Sequence, residues 1–272
     1  MSKKITIQER KSQPEGLKID AHVHITEDGN WFNSNIDASL ERLLIELENS
    51  SISKAIILPI NGTVSNEYVA EVCNKYPKKL MGFATVDPLQ EEHSVIELEK
   101  AVNDLGLRGL KLHPRLQNFP PNDSRIIPII EKAGELDIPI VFDTFPQGPG
   151  LIENVLPLNY DRLAKEAPNT KIILAHSGGS RVLDALMVAK ANENIYLDIS
   201  YSMHYYQGSS VIKDFIFAIK KLGADRVIYG SDYPELGIRD SFEVVEEMLI
   251  DLSDKEKEWV FGNTISTMLN LG

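Results

Sequence analysis

Two histidines one residue apart open the chemistry of this chain, in Asp20-Ala21-His22-Val23-His24. Successive side chains of a strand point to opposite faces, so His22 and His24 share one face and Val23 takes the other. Two imidazoles at that spacing can hold one metal ion, and imidazole nitrogen suits zinc, iron and nickel. A third histidine, His176, stands where the apolar run ending Leu174-Ala175 meets Ser177-Gly178-Gly179. The glycines there allow close backbone approach to a ligand. Asp232, in Tyr229-Gly230-Ser231-Asp232-Tyr233-Pro234, can bind a metal or take a proton from metal-bound water. In Gly109-Leu110-Lys111-Leu112-His113-Pro114-Arg115, Lys111 and His113 share a face. With Arg115 they suit an anionic substrate group, the arginine as a two-point carboxylate clamp. Tyr233, beside Asp232, is a further expected substrate contact. Each feature alone has a plainer reading: a packed histidine, a loop aspartate, a surface arginine. Their specificity lies in occurring together, each just past an apolar run.

Those runs alternate with amphipathic stretches along the whole chain. Strands are expected at Leu17–Val23, Ala55–Leu58, Leu80–Val86, Leu107–Leu112, Pro139–Phe142, Lys171–Leu174, Ile195–Asp198 and Val227–Tyr229. Leu40, Leu43, Leu44 and Leu47 form one helical stripe. Further helices are expected at Tyr68–Tyr76, Ser94–Leu105, Ile126–Leu136, Asp161–Ala167, Arg181–Ala191, Val211–Leu222, Phe242–Leu252 and Asp254–Leu271. Eight strands each feeding a helix predict an α/β fold, a closed (β/α)8 TIM barrel as a single domain. A doubly wound open sheet is the competing arrangement. Residues 1–16 read as an N-terminal extension and 17–272 as the barrel. In such barrels the C-terminal ends of the strands form the active site, which is where the residues above fall.

The chain has 272 residues, ample for one such barrel. Its 28 basic and 40 acidic residues give a net charge of −12, which argues against nucleic acid as a partner. Cys73 is the only cysteine, so no intrachain disulfide can form. Residues 1–11 are polar and lack the apolar core of a secretory signal. No run of about 18 apolar residues occurs to span a membrane. Together these predict a cytoplasmic protein acting on a small molecule, with a homodimer as the general expectation.

The DAHVH, GLKLHP, LAHSGG and YGSDYP segments, with the closing Phe261-Gly262-Asn263-Thr264, resemble the amidohydrolase superfamily, and in particular its amidohydrolase-related branch of aminocarboxymuconate-semialdehyde decarboxylase, resorcylate-type decarboxylases and lactone hydrolases. The resemblance runs from about Leu17 to the C-terminus. It implies a (β/α)8 barrel and usually one divalent metal, often zinc. His22 and His24 match the first-strand ligands, Asp232 the eighth-strand carboxylate that binds metal and handles protons, and His176 the sixth-strand histidine that acts on water or substrate. One position departs. Where the family usually carries a fifth-strand histidine ligand, this chain has Asp143. A carboxylate can ligate zinc, so the implied set is His22, His24, Asp143 and Asp232, a harder site open to manganese or magnesium. Loss of the metal, or a carbamylated Lys111 bridging two metals, are the other consequences the departure could have.

The main expectation is a metal-dependent hydrolase. Metal-activated water attacks a carboxylated ester, lactone or amide, with Asp232 or His176 taking the proton. The alternative is a metal-dependent non-oxidative decarboxylase on the same residues, and a third reading is a barrel that binds a ligand without turnover. Loops 145–159 and 201–208 are expected to line or cover the site, with Tyr201, His204, Tyr205 and Tyr206 available to stack on a flat substrate.

Overall fold

The structure is a computed structural model and describes residues 16–32 and 34–271. The expected N-terminal extension lies, except for Gly16, outside the described residues. Eight strands follow in order: β1 (Ile19–Val23), β2 (Lys54–Ile57), β3 (Leu80–Gly82), β4 (Leu110–Leu112), β5 (Ile140–Asp143), β6 (Ile172–Ala175), β7 (Ile195–Asp198) and β8 (Val227–Ile228). Neighbours pair in parallel within β1–β3 and within β4–β8. Two seams join these groups. Ala84 pairs with Leu110, and Val23 with Tyr233, both in parallel. Lys111 N donates to Ala84 O at 2.7 Å, and Ala21 N to Tyr229 O at 3.1 Å. The strands therefore close into the (β/α)8 barrel that the alternation predicts.

The helices are α1 (Leu40–Glu48), α2 (Asn66–Lys75), α3 (Glu92–Asn103), α4 (Ile127–Glu135), α5 (Tyr160–Glu166), α6 (Val182–Ala191), α7 (Ser202–Tyr205), α8 (Val211–Leu222), α9 (Ile238–Met248), α10 (Asp254–Glu258) and α11 (Thr264–Met268). Local chemistry sets their ends. The Ser39 side chain accepts from Arg42 N at the start of α1, and Ser253 with Glu256 forms a reciprocal capping pair on α10.

Strand alternation sorts the apolar residues into two layers. Val141, Ile173, Ala175 and Ile228 fill the barrel interior with Ile19 and Ala21. Leu110, Leu112, Phe142, Ile172 and Leu174 face outward under the helices. Ile265, Met268 and Leu269, in and just after α11, close the bottom of the interior. The top is left to the polar residues that follow the interior positions.

Two expectations are revised. The single helix over Asp254–Leu271 is broken by a π-turn at Trp259–Asn263. There Val260 O accepts Tyr229 N at 2.9 Å, which diverts a helix carbonyl to the end of β8. The 201–208 loop contains the short helix α7. Among the described residues no helix is long and apolar enough to cross a membrane.

Candidate active site

A cavity of about 400 Å³ opens at the C-terminal ends of the strands. Its floor carries His24, Lys111, Asp143, His176 and Asp232.

β1 does not run straight into this site. Its register against β2 shifts between Asp20 and Val23. The shift lets Ala21 stay in the interior layer while His22 and His24 both turn to the mouth and Val23 packs outward. His22 is backed so closely by β8 that a Cβ on Gly230 would lie 2.4 Å from the histidine Cβ, so only glycine fits there. Asp20 pins the two strands together: its Oδ1 accepts Ser231 N at 2.8 Å and His22 N at 3.2 Å. Burial pushes the Asp20 carboxyl up to about 7.

His22 Nε2 and His24 Nε2 each lie 3.3 Å from Asp232 Oδ1. Among the described residues these three form the group whose ligand atoms lie within 4.8 Å of one another. The other nitrogen of each ring is committed. His22 Nδ1 lies 2.6 Å from Asp198 Oδ2, and His24 Nδ1 lies 2.5 Å from Leu58 O. Each Nδ1–H is thus a donor, which leaves both Nε2 lone pairs aimed at one point. Burial, then Lys111 and His176, hold His22 well below the usual imidazole range, so it is neutral as a ligand must be. Burial works to raise Asp232, but His176, His24 and Lys111 outweigh it and keep the carboxylate ionised. Two imidazole nitrogens and a carboxylate are a donor set that fits a divalent cation. Asp232 holds its place at φ 66°, a left-handed conformation that a non-glycine residue adopts at some cost.

Asp143 is not drawn into that group, although it was expected among the ligands. Its Oδ2 accepts Arg115 Nε at 3.1 Å and lies 3.5 Å from His113 Nδ1. Its Oδ1 lies 3.4 Å from His176 Nε2. Burial alone would raise this carboxyl, yet His113, His176 and Arg115 together hold it far below its ordinary range. Its charge is spent on three cationic or polar neighbours. His113 is itself pushed down to about 3 by burial. Lys111 is wholly buried, which lowers its amine, and its Nζ lies 3.4 Å from His22 Nε2.

His176 faces this second cluster with Nε2, while its Nδ1 lies 3.0 Å from Ser200 O. Burial lowers its basicity, but Asp232, Asp143 and Asp198 more than compensate, and its imidazolium persists above the usual range. It too sits at positive φ, 61°.

Tyr233 requires a correction. Its side chain is buried away from the cavity, and its hydroxyl donates to Asp37 O at 3.2 Å. Adjacency to Asp232 gave no information on direction, because successive side chains diverge.

Three contributors went unnoticed in the sequence. Asp198 and Ser200 follow β7, and Ser200 Oγ lies 3.0 Å from His22 Nδ1 and 3.1 Å from His176 Nδ1. A carboxylate closing the strand Ile195–Asp198 was the available signal. Trp31 stacks on His24 with ring centroids 5.3 Å apart and donates Nε1 to Glu235 Oε1 at 2.5 Å. No local pattern marks that pairing. Phe145 packs edge-on against Tyr201 at 5.1 Å, and it lines the same cavity as Trp31.

The amidohydrolase family model matches residues 19–271. The chain is 22% identical over 238 residues to the 2-amino-3-carboxymuconate-6-semialdehyde decarboxylase of Dictyostelium discoideum, covering 76% of this chain and 65% of that protein. It is 24% identical over 244 residues to the gamma-resorcylate decarboxylase of Polaromonas, covering 71% and 72%. It therefore spans about two thirds of the length of these curated relatives. A solved dihydroxybenzoic acid decarboxylase from Polaromonas, with bound manganese and 2-nitroresorcinol, superposes with a TM-score of 0.73 at 19% identity over 94% of this chain and 97% of that one. All three proteins are decarboxylases. This overturns the main expectation of ester, lactone or amide hydrolysis and leaves its alternative. The expectation of zinc in particular gains nothing, since the metal named in the solved structure is manganese. By its match over nearly its whole length, the chain belongs to the amidohydrolase family.

Proposed function

We propose that this chain is a metal-dependent, non-oxidative decarboxylase of a small, flat carboxylic acid. The observation that carries the reading is the placement of two chemically distinct centres on one cavity: the His22–His24–Asp232 group, two imidazoles and a carboxylate, and the His176 imidazole beside Asp143. The names of its relatives supply the reaction class.

In this reading His22, His24 and Asp232 hold one divalent ion, manganese or zinc. When bound, the ion supplies positive charge that orients an anionic substrate and draws electron density from it. The chain's own groups do the rest. Trp31 and Phe145 confine a flat ring or conjugated system between them. Arg115 offers its guanidinium to an anionic substituent, beside Lys111 and His113. A π pair of the ring or conjugated system takes the proton from His176 Nε2 at the carbon that bears the carboxylate, which leaves the adjoining positions electron-poor and the imidazole neutral. The carbon–carboxylate bond then breaks, its electron pair restores the π system, and carbon dioxide leaves. Asp143 and Ser200 fix the imidazole on its two nitrogens, so the proton sits on the cavity side. Asp232 keeps its charge throughout and takes no part in the transfer.

The test is carbon dioxide release from a panel of hydroxybenzoic and unsaturated carboxylic acids, before and after chelation and after manganese is restored. The reading expects release that chelation stops and manganese recovers. Tight binding of an acid with no turnover at any metal load would favour the non-catalytic barrel instead.

A further inference from the structure

The turn after β5, residues 147–150, packs on a single side chain. Arg115 Nη1 donates to Pro149 O at 3.4 Å, while Nε is held by Asp143 at 3.1 Å. The arginine side chain is only 9% exposed. A Cβ built on Gly148 would lie 2.5 Å from Arg115 Nη1, and one on Gly150 would lie 2.8 Å from Arg115 O. Both glycines have positive φ, 97° and 90°. Arg115, Gln147, Gly148 and Pro149 all border the cavity.

We propose that the 147–150 turn positions Arg115, and that Gly148 sets the affinity of the cavity for anionic groups by leaving room for the guanidinium to lie against the turn. The proposal rests on the reading that Arg115 receives an anionic substituent of the substrate. Two of the three guanidinium nitrogens are tied, one to each wall, and this fixes the plane of the fork and aims Nη2 at the ligand. Planar recognition of a carboxylate depends on that plane. The two glycines differ in what a side chain would displace. At Gly150 it would strike backbone. At Gly148 it would strike the far end of a flexible side chain, and the φ of 97° strains any side chain there as well, so a methyl moves turn and guanidinium apart while the barrel stays whole.

The experiment measures binding of 2,6-dihydroxybenzoate and of resorcinol, the same ring without the carboxylate, to the manganese-loaded protein by calorimetry. Gly148→Ala is expected to weaken 2,6-dihydroxybenzoate about tenfold, the scale of one charge-assisted hydrogen bond, and to leave resorcinol within about twofold. In an Arg115→Met background Gly148→Ala is expected to have no further effect, since the two act through one contact. Arg115→Lys, which keeps the charge but loses the fork, is expected to bind the anion as weakly as Arg115→Met. Equal losses for both ligands, additive losses in the double variant, wild-type affinity in Arg115→Lys, or no binding of the anion by the wild type would each overturn the proposal. Anion bound with these ratios but never decarboxylated would sink the proposed reaction and leave this role of Gly148 standing.

Discussion

Asp198 Oδ2 lies 2.6 Å from His22 Nδ1, with both side chains buried. The carboxylate fixes the ring tautomer and orientation before any ion arrives, and it raises the basicity of Nε2. Asp198→Asn keeps the shape and loses the charge. It is expected to weaken manganese binding by roughly 10–100-fold, read by metal titration with a competing chelator. Unchanged affinity would show that Asp198 only fills space.

Asp143 lies outside the His22–His24–Asp232 group, so the proposed ion should not depend on it. Asp143→Ala is expected to keep one equivalent of manganese by elemental analysis. It also strands Arg115 in a buried setting, and breaking a buried ion pair costs on the order of 3–5 kcal/mol, so unfolding should come at clearly lower denaturant. A variant that loses its metal would put Asp143 back among the ligands.

The same carboxylate gives stability a pH signature. Its folded pKa lies well below the ordinary 3.8, so ionised Asp143 favours the folded state at every pH above that ordinary value. That contribution fades as pH falls from about 4 toward the folded value. Urea unfolding of the wild type and Asp143→Asn should therefore differ clearly near pH 5, below the range in which His176 titrates, and converge as pH falls below about 4. A gap that widens as pH falls below about 4 would contradict the depressed pKa.

His176→Asn removes the proposed proton donor and leaves the ion's residues intact. Activity is expected to drop roughly 10²–10⁴-fold with metal content unchanged. Loss of metal in step with activity would assign His176 to ligation.

What could be read from the sequence follows from its periodicities. Period-two alternation put Lys111 and His113 on one shared face and His22 and His24 on another, because each strand carries its own record of direction, while Asp143 stood out only by the family resemblance. The eight-fold repeat of strand and helix fixed the barrel. The departure at Asp143 was visible too, but its partners were not. Arg115, His113 and His176 meet it only because β4, β5 and β6 lie side by side. The register shift in β1 left no trace in residue type. Asp198 looked like any strand-end acid until β7 was brought behind His22. Tyr233 was misplaced because it lies beyond β8, where strand alternation no longer applies.

In the proposed reaction the cavity protonates a carbon as its carboxyl group leaves. The manganese-loaded protein should be given its best acid from the carbon dioxide screen, in deuterium oxide enriched in oxygen-18. Proton NMR and mass spectrometry of the product read both isotopes. The expected result is one deuteron at the carbon that lost the carboxyl group, no oxygen-18 in the product, and neither product nor carbon dioxide from His22→Ala. Oxygen-18 in the product without carbon dioxide release, or full turnover by His22→Ala, would contradict it.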